Sequence, residues 1–380
     1  MADNMLLINC ANLRFGGGKT VGMNIINYFK SRQEQLPYRI VVIAPFNCGY
    51  EAFEGGRIQV EVIPEKYNKP WFKYYLNNKV LPGLAQKYKA GYILSLGNIA
   101  FPARVPQSLL IHLAYIVYPE SPVWKRLSLK HRLLLRTMVG FIKRNLKNAD
   151  HVLLQTQTMV SRFLKLYPFT GSQVGIMPNG VSFTSISDVA PLDLSTPLKE
   201  VKLLFFSKHY PHKNFDILIP LAQLIKSKDV AIKFTVTLDR SESSAAAQFL
   251  DEVQRLGLDT VIHNAGHINF DQIPALYEAH QGLFLPTLLE SFSGTYIEAM
   301  HFGRPVFTSN MDFATEVCKE AAYYFNPTDV NDIFAAITHA FAERGAMADK
   351  IEKARLLCNE LKSWEQIGQE LEAFLETKVK

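Results

Sequence analysis

The 380-residue sequence has no Asp-x-Asp, no Cys-x-x-Cys and no His/Cys cluster at zinc spacing. A metal that anchors a diphosphate needs grouped acidic ligands, and structural zinc needs grouped thiolates or imidazoles, so neither metal is expected. The four cysteines, Cys10, Cys48, Cys318 and Cys358, are scattered, which fits a reduced, cytoplasmic compartment without disulfides. No apolar run reaches bilayer-spanning length, and MADNM leads straight into apolar Leu6 without a basic-then-apolar signal segment. Low-complexity tracts are missing as well, and 48% hydrophobic with 20% charged residues is an ordinary globular composition. Zinc fingers, secreted disulfide scaffolds, membrane-spanning bundles and disordered chains are thereby set aside.

What is present starts with length, enough for two cores. Net charge is +6, unevenly spread: residues 1–190 hold 23 Lys/Arg and 9 Asp/Glu (+14), leaving 18 and 26 (−8) for residues 191–380. A basic half joined to an acidic one implies two tasks, the basic half meeting something anionic. Short apolar runs at 6–9, 40–44, 60–63, 92–96, 109–113, 152–155 and 174–177 read as strands, with helices at 21–30, 71–87, 124–148 and 160–166. This alternation predicts an α/β fold with a mostly parallel, doubly wound sheet. The turn-rich stretch 182–197 reads as a linker, after which strands recur at 202–207, 233–238, 261–263, 282–285 and 306–308. Ser363 is placed as the N-cap of a last helix starting at Trp364, in which Gly368 is an unfavourable residue.

The stretch 286–305, PTLLESFSGTYIEAMHFGRP, follows the strand 282–285 and opens a helix. Open α/β sheets bind ligands at such carboxyl edges, and helix N-termini attract phosphate. Glu290 and Glu298 bracket a loop in which Phe292, Ser293, Gly294 and Thr295 offer backbone N–H groups. Amides for phosphate and carboxylates for hydroxyls suit a nucleotide-sugar. The stretch resembles the E-x7-E region of the family 4 retaining glycosyltransferases, which have the GT-B fold of two Rossmann-like domains facing a central cleft. Pro286, Glu290, Phe292, Glu298, Ala299, Met300, Gly303, Pro305 and Val306 match in register, while Ser291 and Ser293 replace the usual glycines.

The resemblance implies an organisation and a site. Residues 1–190, with the linker 182–197, would bind the acceptor; residues 191–362 would bind the donor; the helix 363–380 would pack back on the first domain. Lys208 and Lys213 stand where the family has two cations on the donor diphosphate, with Ser207 in place of glycine. Fixed cations there stabilise the charge that builds on the leaving oxygen. Glu298 would meet the ribose and Glu290 the sugar. The glycines Gly16, Gly17 and Gly18 follow the first strand; because Leu13 stands where a P-loop needs glycine, the segment is not an ATPase motif. It resembles the family's Gly-Gly turn near the diphosphate or acceptor, and equally a purely structural tight turn. His112, beside the strand 109–113, is either the family's catalytic-side histidine or a satisfied structural one. Gln155 and the segment Pro178-Asn179-Gly180-Val181 resemble the end-of-domain pattern.

From Trp124 through Asn148 the chain carries eight Lys/Arg and no acid, interleaved with Leu127, Leu129, Leu133, Leu134, Leu135, Met138, Val139, Phe141 and Ile142. Such a basic amphipathic helix lies on an anionic membrane surface or shows solvent a basic face over one buried stripe. Nucleic acid is not expected, since no zinc finger or RNP motif accompanies the charge. The sequence thus points to a metal-independent, retaining glycosyltransferase using a nucleotide-sugar and a saccharide or lipid-linked acceptor, with no cofactor, in bacterial surface polysaccharide or glycolipid synthesis. The site would comprise Glu290, His112, Lys213 and Lys208. Alternatives are an epimerase or phosphorylase on the same fold, or a non-catalytic membrane-bound or partner-binding protein.

Overall fold

The computed structural model describes residues 4–181 and 189–379. The chain forms two compact units: described residues 4–119, 128–181 and 362–379 make the first, and 120–127 with 189–361 the second. Residues 182–188 of the linker stretch lie outside the described residues, and 189–197 contain neither helix nor strand.

The first unit holds a seven-stranded sheet: β1 (Met5–Asn9), β2 (Arg39–Pro45), β3 (Ile58–Ile63), β4 (Tyr92–Ser95), β5 (Gln107–Ile111), β6 (His151–Leu154) and β7 (Val174–Ile176), in the order β3-β2-β1-β4-β5-β6-β7. Its pairings are parallel, with Leu7 opposite Val41 on one side and Ile93 on the other. Alternate side chains go to opposite faces of a strand. Leu6 and Ile8 accordingly enter one core with Ile25, Phe29 and Leu371, and Leu7 enters another with Leu76, Leu81 and Phe101. Both faces are covered, which is why the strands read as continuous apolar runs.

The second unit repeats the plan with β8 (Val201–Phe205), β9 (Ile232–Val236), β10 (Ile262–Asn264), β11 (Gly282–Leu285), β12 (Val306–Ser309) and β13 (Ala322–Phe325), in the parallel order β10-β9-β8-β11-β12-β13. In each sheet the order reverses once, between β1 and β4 and between β8 and β11. Those two reversals are the topological switch points, beyond whose carboxyl ends ligands bind.

Several local expectations are corrected. The helix expected at 21–30 is α1 (Gly16–Arg32), so the three glycines form its first turn rather than a preceding loop. The helix expected at 71–87 is present as one helical run that opens tightly at Pro70–Phe72 and Lys73–Tyr75, widens at Leu76–Val80 and ends as a regular helix, Leu81–Lys87. Pro82 accounts for the wide turn, because it cannot donate to the carbonyl four residues back. The single helix expected at 124–148 is two helices, α2 (Val123–Arg126) and α3 (Leu129–Asn145). Leu127 is extended and the Ser128 hydroxyl accepts from His131 N at 3.3 Å, which starts a new helix. Strand β5 ends at Ile111, not at residue 113, because the Asn98 side chain takes the N–H groups of His112 (2.6 Å) and Leu113 (2.9 Å).

The last helix, α5 (Trp364–Glu376), opens with a capping box between Ser363 and Gln366 and buries Ile367, Leu371 and Leu375 in the first unit's core. Gly368 is there for packing: a Cβ would lie 2.2 Å from Tyr28 Cγ. The Tyr28 hydroxyl donates to the buried Glu372 carboxylate, which also pairs with Arg32 at 3.4 Å. At the helix entry, Gly180 packs on Trp364, Val181 N donates to Lys362 O (3.0 Å), and Gln155 donates to Asn179 Oδ1 at 2.5 Å. A cavity of about 200 Å³ lies between β6, β7 and α5; none of its lining residues belongs to the loops described next.

Candidate functional site

At the second unit's switch point, the loop after β8 meets the loop after β11. Residues 210–213 turn tightly, Lys213 N donating to Tyr210 O at 2.9 Å, and Asn214 takes a left-handed conformation (φ 64°). Asparagine tolerates that conformation better than most residues. The His212 carbonyl then accepts from both Leu288 N (2.7 Å) and Thr287 Oγ1 (2.9 Å), fastening this turn to the loop that carries Glu290.

The result is an ion pair between Lys213 Nζ and Glu290 Oε1, each side chain only 12% exposed. Thr287 Oγ1 lies 3.3 Å from the same carboxylate oxygen. A charge pair this sheltered is weakly screened and strongly oriented. Beside it, burial pulls the His212 imidazole down to about 4; the Glu290 charge opposes this and the Lys213 charge adds to it. The ring is therefore neutral at pH 7, and it stacks on Tyr210 with centroids 5.4 Å apart.

Helix α4 (Gly294–His301) begins three residues after Ser291, and the Ser293 side chain makes no capping bond to it. The Ser293 carbonyl accepts from Tyr296 N at 3.3 Å, but no first-turn N–H is taken by the cap's side chain, and these groups carry the partial positive charge of the helix end. Ser293 is buried, Phe292 and Thr295 are half-buried and Gly294 is exposed. Glu298 lies in the second turn, half-buried, its carboxyl pushed up by burial, with the Tyr277 hydroxyl 3.4 Å away holding it partly back.

The other expected site residues are Lys208 in the second unit and Gly16, Gly17, Gly18 and His112 in the first. Lys208 is exposed and pairs with Glu242, so of the two lysines only Lys213 meets the carboxylate loop. Gly16, Gly17 and Gly18 belong to the first unit; Gly16 has φ 63°, and a Cβ on Gly16 or Gly17 would touch nothing within 4 Å. Packing alone therefore does not call for glycine at position 17. His112, also in the first unit, places Nε2 2.8 Å from Leu96 O, and burial pulls its ring down to about 4. Among the described residues, no three His, Cys, Asp or Glu side chains come together as a metal site.

Sequence reasoning passed over Asn214, Thr287, His212 and Tyr277, which shape the site without belonging to its recognisable pattern. Only Asn214 carried a signal, an asparagine following a turn.

Residues 192–357, nearly the whole second unit, match the family described as Glycosyl transferases group 1. The chain is 25% identical over 270 residues to the O-antigen chain mannosyltransferase RfbU of Salmonella typhimurium, covering 70% of this chain and 68% of that one. Among solved structures, a sucrose-phosphate synthase from Thermosynechococcus elongatus superposes with a TM-score of 0.74 at 17% identity, covering 99% of this chain and 98% of that one. Anabaena HepE, solved in complex with UDP and glucose, gives 0.70 at 20% identity, covering 98% and 100%. These likenesses place the two parallel sheets in the GT-B fold. Residues 192–357 thus carry the likeness to Glycosyl transferases group 1, and the chain as a whole has the GT-B architecture.

Proposed function

We propose that this protein moves a sugar from a nucleotide-sugar to a saccharide or lipid-linked saccharide, with retention of anomeric configuration and without a metal ion. The observation that carries the proposal is the sheltered Lys213–Glu290 pair at the switch point, beside the N-terminus of α4. A diphosphate entering this site exchanges its charge for that of Glu290 on Lys213 and takes the α4 amides as further donors. Glu290 is thereby released to accept from a sugar hydroxyl, and Glu298 accepts from the ribose. As the bond to the anomeric carbon breaks, negative charge grows on the leaving phosphate, and Lys213 with the helix end stabilises it where a metal would otherwise stand. No side chain of this group is placed as a covalent nucleophile; attack from the leaving-group side, assisted by that phosphate, retains configuration. Lys208 joins the phosphate only by leaving Glu242. The acceptor is assigned to the first unit, with Gly16, Gly17, Gly18 and His112 at its sheet edge.

The donor sugar proposed first is mannose, since the curated relative is a mannosyltransferase of O-antigen chains, and surface polysaccharide assembly is the accompanying process. A membrane-bound acceptor agrees with α3. Leu129, Leu133, Leu134 and Met138 are exposed on it among basic residues, and Tyr74, itself exposed, lies 6.5 Å from Phe141 between ring centroids. We assign this face to an anionic membrane surface on the cytoplasmic side.

The first test is a thermal-shift panel of UDP, GDP, ADP and their sugars. A ligand bound only by the folded state raises the melting temperature, and a hundredfold excess over Kd stabilises by about 2.7 kcal/mol. One nucleoside diphosphate and its sugar should stand out; no shift with any of them sinks the reading.

A further inference from the structure

The loops that hold Lys213 and Glu290 are braced by a piece of chain from far upstream. Residues 120–127 lie in the first half of the sequence yet belong to the second unit. This strap contains α2 and touches both loops. The buried Ser121 hydroxyl donates to Leu288 O at 3.1 Å, two residues before Glu290. Arg126 Nη1 donates to Asn214 Oδ1, next to Lys213.

Asn214 is the centre of the brace. It is 2% exposed, and its Nδ2 donates to Pro286 O (3.0 Å) and Pro327 O (2.8 Å), joining the loops after β8, β11 and β13 through one amide. Both Nδ2 protons are thus used, and the amide oxygen is completed by Arg126. A side-chain amide is held in one orientation when its donors and its acceptor are all satisfied; an unpaired buried oxygen is costly. Without Arg126 the amide oxygen loses the one donor it has among these bonds, and with it the constraint on the turn that ends in Lys213.

We propose that Arg126 is a positioning residue for the transfer reaction: through Asn214 it sets the place of Lys213 opposite Glu290. Ser121 plays the smaller, matching part on the Glu290 side. The proposal rests on the donor-site reading above, since it concerns the residues assigned to the diphosphate. A displacement of about 1 Å in a charge that stabilises a transition state can cost on the order of a hundredfold in rate. Because the leaving group carries more charge at the transition state than in the bound donor, the loss appears chiefly in kcat.

The experiment compares Arg126→Met, which keeps a long stem without a donor, with Arg126→Lys, which restores a donor, using the nucleotide-sugar selected by the thermal-shift panel. Arg126→Met should lower kcat roughly tenfold to a hundredfold with donor KM within about threefold, and Arg126→Lys should recover most of the loss. Asn214→Gly keeps the left-handed backbone while deleting the amide, and should reproduce the Met variant if that one folds poorly. Normal kcat in Arg126→Met, or equal losses in the Met and Lys variants, overturns the proposal. Lys213→Ala in the same series separates the two ideas. If it turns over normally the donor-site reading has failed; if it is inactive while Arg126→Met and Asn214→Gly are normal, only the brace has failed.

Discussion

The two units carry parallel sheets that reverse order at corresponding places, yet their reversal points are furnished differently. In the second unit the point holds fixed charges, the Lys213–Glu290 pair, locked by backbone carbonyls and the Asn214 amide. In the first it holds amides and hydroxyls. Asn9 donates to Ser95 Oγ (3.2 Å), Ser95 to Gln107 Oε1 (2.8 Å), and Lys73 to Asn12 Oδ1 (2.6 Å), while Asn98 caps the chain after β5. Burial pulls the Lys73 ammonium down to about 8, the nearby Arg14 charge adding to the effect. One architecture thus serves two chemistries: a paired carboxylate and ammonium where a diphosphate is proposed to sit, and amides and hydroxyls beside a weakened ammonium where the polyhydroxyl acceptor is proposed to arrive.

The sharpest way to break this contrast is to remove the charges. Glu290→Ala and Lys213→Ala should each lower transfer by roughly a thousandfold or more in steady-state assays, the order of loss seen when a transition-state charge partner is deleted. Near-normal rates in either variant would leave the second reversal point no more chemical than the first.

The next largest effect concerns the first unit's surface. Leu133→Asn combined with Leu134→Asn should weaken co-sedimentation with anionic vesicles by about tenfold or more, from the apolar area no longer buried in the headgroup region. Turnover of a soluble acceptor should be unaffected. Equal binding of the variant and the parent protein removes the membrane from the account.

Gly368→Ala probes the first unit's core. The added Cβ meets the Tyr28 ring at 2.2 Å, and overpacking of this kind costs typically 1–3 kcal/mol. Denaturant melts should show that loss, while nucleoside diphosphate affinity, which is proposed for the second unit, stays within about twofold.

The last effect, small near neutral pH, is one the units share. Each buries one histidine whose ring is pulled down to about 4, His112 in the first and His212 in the second. An unfolded imidazole titrates near 6.5, so between those values the unfolded chain binds protons the folded one refuses. Stability is therefore fully present above about pH 6.5 and falls as pH drops toward 4, by up to about 3 kcal/mol per ring. Urea melts at pH 7, 6 and 5 should show the decline, and His112→Asn or His212→Asn should each flatten it; an unchanged slope in both would remove these rings as its cause.

Much of this was legible in the sequence, for identifiable reasons. Parallel strands covered on both faces are apolar throughout, so Leu6-Leu7-Ile8 and Gly282-Leu283-Phe284-Leu285 were readable as strands. Glu290 and Glu298 were found because a pattern surrounds them. The irregular helices were harder: Pro82 and Ser128 sit inside runs whose periodicity continues, and only a proline's missing donor, which widens one helix, or a serine's cap, which starts another, decides the matter. β13, Ala322–Phe325, went unread because its two central tyrosines are only half-buried and it lacks the aliphatic run that marks the equally short β11. Arg126 and Asn214 were illegible as a pair, since their contact spans 88 positions and depends on a strap crossing to the other unit. Gly368 was read as a weak helical residue; its partner, Tyr28, is 340 positions earlier, and no local rule connects them.

The place of α5 bears on how the polypeptide is made. The first unit's core includes Ile367, Leu371, Leu375 and Val379, contributed by the last stretch of the sequence. During translation the ribosome therefore finishes the second unit's strands before the first unit can bury its own apolar surface. The first unit's strands, made earlier, wait the longer to mature, with Ile25, Ile26 and Phe29 lacking these neighbours until α5 has been made.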